Sequence, residues 1–404
     1  MSTPSAGHTS PLSSNFKLAK AHCVAIDEGR HRLLSRRIAN DEPDLLQLLT
    51  DVLALGDRVT WGIDLADGGA ALAITLLLDH EQPVHYISGR AIHRASQSYR
   101  GEGRTDAKDA AIIADQVRVR RDLHPLRATH DTVADLKILT ARRLDLVADR
   151  TRTINRLRAQ LTGIFPGLER ALDLTNTGPL VLLTGYQTPA ALRRTGKTRL
   201  KTWLRNRRVL RADQLTETAL EAAMRQHTSL PGEKLTAQMV HTLAAEVMAL
   251  NQQIAEIDKT IGARFREHQA YEVITSMPGL GVILGAEFIA CAGGDLDAIG
   301  SSRRLTGIAG LAPVPKDSGR ISGNMRRPHR YHRRLLRVFS LSAQVAARSC
   351  PTSRTFYERK RSEGKSHKQA VLALARRRLD VLWALIRDQR TFTVEPPQRG
   401  PAAA

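Results

Sequence analysis

The hydrophobic pattern of this chain changes period near His124-Pro125, and that change limits what it can fold into. Before it, short β-prone runs alternate with short helical ones. Cys23-Val24-Ala25-Ile26 and Leu33-Leu34 flank Asp27-Glu28-Gly29, which predicts a hairpin between Phe16 and Ile38. Leu45, Leu46, Leu48, Leu49, Val52 and Leu53 keep helical spacing. Val59 to Asp64 predicts a short buried strand ending on an acid, and Gly68-Gly69 opens an apolar helix from Ala70 to Leu78. Val84-His85-Tyr86-Ile87 is a further strand. Strands alternating with helices predict an α/β sheet domain.

After His124-Pro125 the pattern is that of long helices. Val147, Ile154, Leu157, Leu161 and Ile164 recur at steps of three, four and seven on a basic helix that stops before Pro166-Gly167. Leu243, Val247, Leu250, Ile254, Ile257 and Ile261 alternate steps of four and three, the spacing of a coiled-coil seam. So narrow a seam needs a partner, either the earlier helix folding back or the same helix of a second subunit. From Tyr271 a third unit begins, with an apolar helix over Val282 to Ala292 and further helices from about Arg333 to Arg387. The predicted fold class is therefore α/β plus all-α. Residues 1–14 are expected to be a disordered tail, 15–125 the α/β domain and 126–270 a helical coiled-coil region. Residues 271–390 should form a mostly helical domain and 391–404 a loose tail.

The charge balance is 61 Lys+Arg against 40 Asp+Glu, formally +21. That excess points to a polyanion as partner. No apolar run reaches membrane-spanning length and no N-terminal segment has the layout of a signal peptide, so the expectation is a cytoplasmic protein with no membrane partner. Cys23, Cys291 and Cys350 are far apart and lack metal-ligand spacing, which reads as ordinary thiols in a reducing compartment. Aromatic residues are only 4%, so phosphate contacts should outweigh base stacking.

Two constellations can carry chemistry on a phosphodiester. In Thr105-Asp106-Ala107-Lys108-Asp109-Ala110, the two aspartates are three apart and share one face of a helix. Carboxylate oxygens aimed one way suit a hard divalent ion such as Mg²⁺, and Asp64 at a strand end in the same domain supplies a third acid. Asp67 reads as a turn residue. The plainer reading is an acidic first turn, capped by Thr105 and favoured by the helix dipole.

The second constellation is the run from Arg303 to Arg337, with ten Lys/Arg and one acid, Asp317. Within it Ser318 and Ser322 are each followed by glycine and surrounded by basic residues, so either hydroxyl is a candidate nucleophile. Lys316, Arg320, Arg326, Arg327, Arg330 and Arg333 are the expected phosphate contacts. The plainer reading is a solvated basic face. His329 and His332 are candidates for proton transfer or for phosphate contact. Upstream, Met277-Pro278-Gly279-Leu280-Gly281 leads into a helix. Gly279 and Gly281 could form a backbone-amide cradle for DNA phosphate, or simply let the backbone bend.

The Thr105 to Ala110 block resembles the acidic-helix motif of DEDD-type insertion-sequence transposases, the family numbered one-ten, to which Piv-type DNA invertases are related. The segments Met277 to Gly281, Leu305 to Pro313, Ser318-Gly319, Ser322-Gly323-Asn324 and Phe356 to Arg361 are similar to that family's C-terminal transposase domain. The likeness runs from about His22 to Asp388. It implies a ribonuclease-H-like (RuvC-like) N-terminal domain, a coiled-coil middle and a C-terminal domain that supplies a serine. It further implies Mg²⁺ on an acidic tetrad, a covalent serine–phosphate intermediate, DNA (element ends and target) as substrate, a structured guide RNA, and a homo-oligomer (dimer or tetramer).

On this sequence the tetrad's later acids fall on Asp64, Asp106 and Asp109, with Asp64 standing for the usual Glu, and the nucleophile falls on Ser318. The first acid falls on Lys17, an ammonium where a cation should bind. The expected function is thus a DNA transposase or recombinase. The alternative is a catalytically impaired remnant that only binds nucleic acid. A third reading, a structural RNA- or junction-binding protein, leaves the acid pair and the Ser-Gly loop unexplained.

Overall fold

The structure, a computed structural model, describes residues 9–17, 20–56, 58–65, 68–99, 105–123, 125–127, 130–294, 296–315, 317–320, 322–323, 325–326 and 328–394. The chain is mixed α/β and rich in helix. It divides into two units, Met1–Thr129 and His130–Ala404.

The first unit is built on a five-stranded sheet of β1 (Thr9–Lys17), β2 (Lys20–Ile26), β3 (Arg32–Ala39), β4 (Arg58–Ile63) and β5 (Val84–Tyr86). The strand order is β3-β2-β1-β4-β5. β2 runs antiparallel to β1 and β3, while β4 is parallel to both β1 and β5. The expected hairpin is β2–β3. Residues 9–14, expected to belong to a disordered tail, instead form most of the central strand. Leu12 lies opposite Ala25 on one side and Trp61 on the other. Ladder hydrogen bonds from two neighbours outweigh the weak strand preference of a Ser- and Pro-containing segment, which no local pattern foretells.

Helices cover both faces of the sheet, and the alternation along β2 explains why. Cys23 and Ala25 join Trp61 and Ile63 in a core with Leu45, Leu48 and Leu49 of α1 (Glu42–Leu53) and Ala73 and Leu77 of α2 (Ala71–Asp79). Val24 and Ile26 point the other way and pack on Ala110 and Ala114 of a later helix, Asp106–Val119. Between the two lies α3 (Gly89–Ser96); the Asp106–Val119 helix is α4. Ile92 of α3 packs against Ile112, Ile113 and Val117 of α4.

The second unit is organised on two 34-residue helices, α5 (Asp131–Ile164) and α10 (Glu233–Arg266), which run antiparallel. Pairs along their length fix the register: Asp135 with Arg264, Arg143 with Asp258, Arg150 with Asn251 and Thr153 with Glu246. The earlier helix therefore folds back on the seam. Val247, Ile254 and Ile261 are buried, whereas Leu243, Leu250 and Ile257 are half-buried. Asn251 and Asp258 flank the seam, each four residues after a buried seam residue (Val247, Ile254), and meet Arg150 and Arg143 of α5, a polar device that specifies register.

One end of the pair is closed by α6 (Pro166–Ala171), α7 (Thr177–Gly185), α8 (Pro189–Asn206) and α9 (Ala212–Met224), around Leu157, Leu161, Phe165, Leu180 and Leu200. α8 is interrupted at Gly196, whose φ of 73° is open to glycine. The other end carries α11 (Tyr271–Thr275), α12 (Val282–Ala292), α13 (Leu296–Ile299) and α14 (Ser302–Ile308). It continues with β6 (Val314–Pro315), β7 (Met325–Arg326), α15 (Arg333–Ser349), α16 (Pro351–Ser362) and α17 (His367–Arg387). Its core unites Val133 and Leu136 of α5 and Ile261 and Phe265 of α10 with Phe288, Phe339 and Leu379. The boundary expected at residue 270 thus does not separate two cores, because the long helices enter both. Phe392, placed by sequence in a loose tail, packs on this core and donates its backbone N–H to Ser276 Oγ at 2.9 Å.

No helix among the described residues is long and apolar enough to cross a membrane. Burial pushes the Cys23 thiol up to about 12 and Cys291 up to about 11, which keeps both unreactive at neutral pH.

Two histidines hold backbone turns through an unprotonated nitrogen. His268 Nδ1 accepts from Ala270 N–H at 3.1 Å, and His332 Nδ1 accepts from Leu335 N–H at 3.2 Å as the N-cap of α15. Desolvation above all, with the electrostatic effect of His130 on His268 and of Arg334 on His332, lowers both pKa values below the usual 6.5. The unfolded chain therefore takes up more protons than the fold once pH drops below about 6.5. Their stabilisation is complete above that pH and is lost as pH falls toward the folded values. Thermal denaturation should show a lower melting temperature at about pH 5.5 than at about pH 7, and the pair His268→Asn and His332→Asn should flatten that difference. The seam makes a second prediction: Ile254→Ala should destabilise the protein by about 2–5 kcal/mol in denaturant titration, because Ile254 is buried within one chain.

Candidate active site

In the first unit the acids sit at the ends of well-buried elements. β4 reads Arg-Val-Thr-Trp-Gly-Ile, with Trp61, Gly62 and Ile63 buried, and Asp64 follows it directly, half-buried. Asp106 is the first residue of α4. Thr105 caps that helix by accepting from Lys108 N–H at 3.2 Å, and Asp109 completes the acidic first turn. The helix dipole stabilises both carboxylates there. The small side chains of Ala110 and Ala114 let α4 lie close on the sheet, where it contacts β1, β2 and β4.

His22 on β2 is within electrostatic reach of Asp106. Burial and Arg37 lower the His22 pKa while Asp106 opposes them, so the ring is neutral at pH 7. Its Nε2 lies 3.0 Å from Ser35 Oγ. Sequence reasoning did not single out His22; the signal was a histidine interrupting the β2 pattern.

Asp115, two turns beyond Asp109, has a different role. It is 7% exposed and takes hydrogen bonds from Tyr99 Oη at 2.5 Å and from Arg118 Nε and Nη2 at 2.9 and 2.7 Å, with Arg30 at 3.6 Å. Burial pushes its carboxyl up, but Tyr99, Arg118 and Arg30 outweigh that and hold it below the usual range. Arg30 also lies 4.9 Å from the Tyr99 ring centroid. The cluster ties the β2–β3 turn to α4 and so fixes the helix that presents Asp106 and Asp109.

Among the described residues, no group of three or more His, Cys, Asp or Glu side chains stands together as a metal-ligand set. The donors nevertheless match the chemistry of Mg²⁺, which keeps most of its waters and takes one or two protein carboxylates beside substrate phosphate. Lys17 is the last residue of β1. Since Ser14 of β1 pairs with Ile63 of β4 in a parallel register, Lys17 and Asp64 both lie at the C-terminal edge of the sheet. Asp67 lies outside the described residues.

In the second unit, β6 and β7 form a two-residue ladder, Val314 opposite Arg326 and Pro315 opposite Met325, which closes the loop that carries Ser318 and Ser322. Both serines are exposed, as are Arg320, Arg326, Arg330 and Arg333; Lys316 and Arg327 lie outside the described residues. The base of this loop is anchored. Gly310 has φ 69°, and a Cβ there would stand 2.5 Å from the Tyr331 ring, so Tyr331 seats on the glycine. His332 N–H donates to Ile308 O at 2.7 Å, and its ring caps α15 instead of serving as an open proton carrier. His329 is exposed.

Glu287 fixes α15 behind the loop. It is 2% exposed and pairs with Arg334, at 3.3 Å, and with Arg337, while Arg334 also donates to Thr140 Oγ1 at 2.7 Å. An acid inside the apolar run Val282 to Ala292 was the available signal, since a buried charge requires partners.

The glycines of the Met277 to Gly281 turn divide in role. Gly279 has φ 80°, and a Cβ there would stand 2.7 Å from Ser342 O, so packing on α15 demands a glycine. Arg378 of α17, 2% exposed, secures the same turn through Pro278 O and reaches Ser342 Oγ at 3.0 Å. Burial lowers it to about 10, which still leaves it charged at neutral pH. Gly281 is exposed and is the N-cap of α12.

Known proteins carry the same two blocks. A DEDD-type transposase model of IS110 elements matches residues 18–166, and the model described as "Transposase IS116/IS110/IS902 family" matches residues 271–358. The chain is 57% identical over 377 residues to the insertion element IS900 42 kDa protein of Mycobacterium paratuberculosis, covering 93% of this chain and 94% of that one. It is 50% identical over 375 residues to the IS116 44.8 kDa protein of Streptomyces clavuligerus, covering 93% and 94%. With the IS110 43.6 kDa protein of Streptomyces coelicolor the identity is 36% over 369 residues, covering 91% of each. With the acidic helix in one matched block and the serine loop in the other, the chain belongs to the IS110 family of insertion-element transposases.

Proposed function

We propose that the protein cuts and rejoins DNA at the ends of its element and at a target, with Ser318 as nucleophile and Asp64, Asp106 and Asp109 as a Mg²⁺-binding acidic site. The observation that carries this reading is the sheet order β3-β2-β1-β4-β5 with only β2 reversed, Asp64 at the end of β4, and an acidic helix turn packed on the same sheet. That arrangement supports a ribonuclease-H-like (RuvC-like) first unit. The serine loop supports the second half of the proposal: an exposed hydroxyl among exposed guanidinium groups, on a loop held at its base by Gly310–Tyr331 and by Glu287 behind α15.

In the proposed reaction Ser318 Oγ attacks a backbone phosphorus. An Oγ–P bond forms, the bond from phosphorus to one bridging oxygen breaks, and the serine proton leaves to a base as the released sugar hydroxyl gains one. Rejoining runs the same exchange with a different sugar hydroxyl as nucleophile. Arg320, Arg330 and Arg333 neutralise charge gathering on the phosphate oxygens. One or two of the carboxylates of Asp64, Asp106 and Asp109 would hold Mg²⁺, which when bound would supply Lewis-acid stabilisation of phosphate oxygens. Asp115 and its partners keep α4 in place. The +21 charge supports a structured guide RNA beside DNA as partner. Leu235 and Met239, one turn apart on α10 and 63% and 48% exposed, support a homo-oligomer, dimer or tetramer.

One observation favours a second reading, a catalytically impaired remnant that only binds nucleic acid. Lys17 ends the strand beside β4, where the family resemblance would place the first acid. Incubating the protein with Mg²⁺, guide RNA and end-bearing DNA should give a denaturant-stable protein–DNA adduct. Ser318→Ala should abolish it, whereas Ser322→Ala should leave it. Loss with Ser322→Ala alone would move the nucleophile, and binding with no adduct from the unaltered protein would favour the remnant. Asp106→Asn should slow adduct formation by about 10²–10³-fold, the range for removing one preorganised electrostatic contribution. Under the remnant reading Lys17→Asp should restore adduct formation.

A further inference from the structure

The segment between the two family-model matches, residues 167–270, holds a cleft of about 580 Å³ in the second unit. One wall is the turn from α8 to α9, with Arg207, Arg208 and Arg211; the other is the stretch from Ala171 to Val181. Residues 189–211 contain nine Lys/Arg and no acid. Several of these cations are already engaged within the fold. Lys197 pairs with Glu217, Lys201 and Arg205 pair with Asp213, and Arg193 donates to the carbonyls of Ala223 and Gln226. Among the described residues, the three cleft arginines have no carboxylate partner.

Their placement is built rather than incidental. The Arg207 guanidinium lies 3.8 Å from the Trp203 ring centroid and donates to Trp203 O at 3.3 Å. Trp203 is itself wedged against Gly185, where a Cβ would stand 2.4 Å from the ring, and meets Tyr186 edge-on at 5.1 Å. Arg208 and Arg211 have φ of 56° and 57°, a left-handed backbone that is costly for residues other than glycine and that the fold holds twice within one turn. Between them Leu210 is 89% exposed. Asp173 lines the opposite wall, its carboxylate accepting from Thr175 and Asn176, so one side of the cleft is acidic and the other basic.

We propose that this cleft binds the phosphodiester backbone of an unpaired nucleic-acid strand, with Arg207, Arg208 and Arg211 on its phosphates and Leu210 against a sugar or base. Guanidinium groups match phosphate geometry in pairs of hydrogen bonds. A concave, half-apolar cleft admits a bending single strand, whereas a duplex presents its phosphates on a convex surface. The proposal rests on the reading of the chain as a nucleic-acid enzyme, yet its test does not pass through the serine chemistry.

The test uses full-length protein and fluorescence anisotropy with three labelled probes: a short single-stranded RNA, the matching single-stranded DNA and the duplex DNA, each titrated across a KCl series. The triple variant Arg207→Gln, Arg208→Gln, Arg211→Gln should bind at least one single-stranded probe about tenfold or more weakly, and the slope of log Kd against log salt should fall by about two. The single-stranded probe that loses more identifies the strand as RNA or DNA. Asp173→Asn should tighten the same binding. The triple Arg→Lys variant keeps the charge and the fold, so it should retain the slope while losing affinity. Unchanged affinity and slope with both single strands, or a loss confined to duplex, would overturn the proposal. So would unchanged nucleic-acid binding with an altered solution mass, which would assign the arginines to an acidic surface of a second copy. Adduct formation by Ser318, measured separately, keeps this outcome distinct from that of the proposed reaction.

Discussion

The antiparallel pairing of α5 and α10 is the constraint on which the second unit depends. Two 34-residue helices span about 50 Å, far longer than one small core needs. Each end of the pair therefore nucleates its own core, one around Leu157 and Phe165 and one around Phe265 and Phe288. Register matters because a shift of one turn would move residues out of both cores at once. Asn251 and Asp258 guard against it: a slip would leave Arg150 and Arg143 facing apolar residues and strand polar groups along the seam. The serine loop and the arginine cleft hang from opposite ends of this one scaffold.

How much of this was legible in the sequence depends on whether the signal was local. The β2–β3 hairpin, the strand ending at Asp64, the α4 helix with its Thr105 cap and the seam on α10 all follow from spacing and turn chemistry, and all are present. The partner of the seam was open, because period alone does not say whether the second helix lies in the same chain. β1 was missed because its strand character comes from pairing on both sides, not from its own Ser- and Pro-containing composition. Of the clamp on Asp115, only Arg118 is a near neighbour; Tyr99 and Arg30 come from outside α4, and nothing local announces them. Glu287 did leave a mark, an acid in an apolar helix. Gly279 also left a mark, but its cause was open between a phosphate cradle and room to bend; the fold adds a third cause, close packing against Ser342, and Gly310 likewise seats Tyr331.

The excess of positive charge is not spread evenly over function. Some arginines are structural: Arg334 and Arg337 neutralise the buried Glu287, and Arg378 sits almost fully buried on neutral acceptors of the 277–281 turn and of α15 and α16. Others are held on carboxylates at the surface, where such pairs contribute little stability but keep side chains in order. Among the described residues, those without an ion pair include Arg320, Arg326, Arg330 and Arg333 of the serine-loop run and Arg207, Arg208 and Arg211 of the α8–α9 turn. A count of Lys and Arg indicates a polyanionic partner; only the fold separates the arginines that hold the protein together from those available to bind one.

The serine loop illustrates what such a site requires. A nucleophile on an exposed loop must be free to meet a phosphate, yet a loop that wanders loses the advantage of orientation. Here the ladder between β6 and β7 is only two residues long, too short to be stable alone. Its rigidity is borrowed from below, where Tyr331 seats on Gly310, His332 binds Ile308 O and caps α15, and Glu287 fixes the helix that follows. The tip keeps glycines beside both serines, Gly319 with open space around it and Gly323 at φ 80°. Firm base and permissive tip suit the proposed reaction, in which the loop meets a DNA strand while keeping its hydroxyl among guanidinium groups. Mutations at the base should therefore act on the tip without touching the proposed nucleophile.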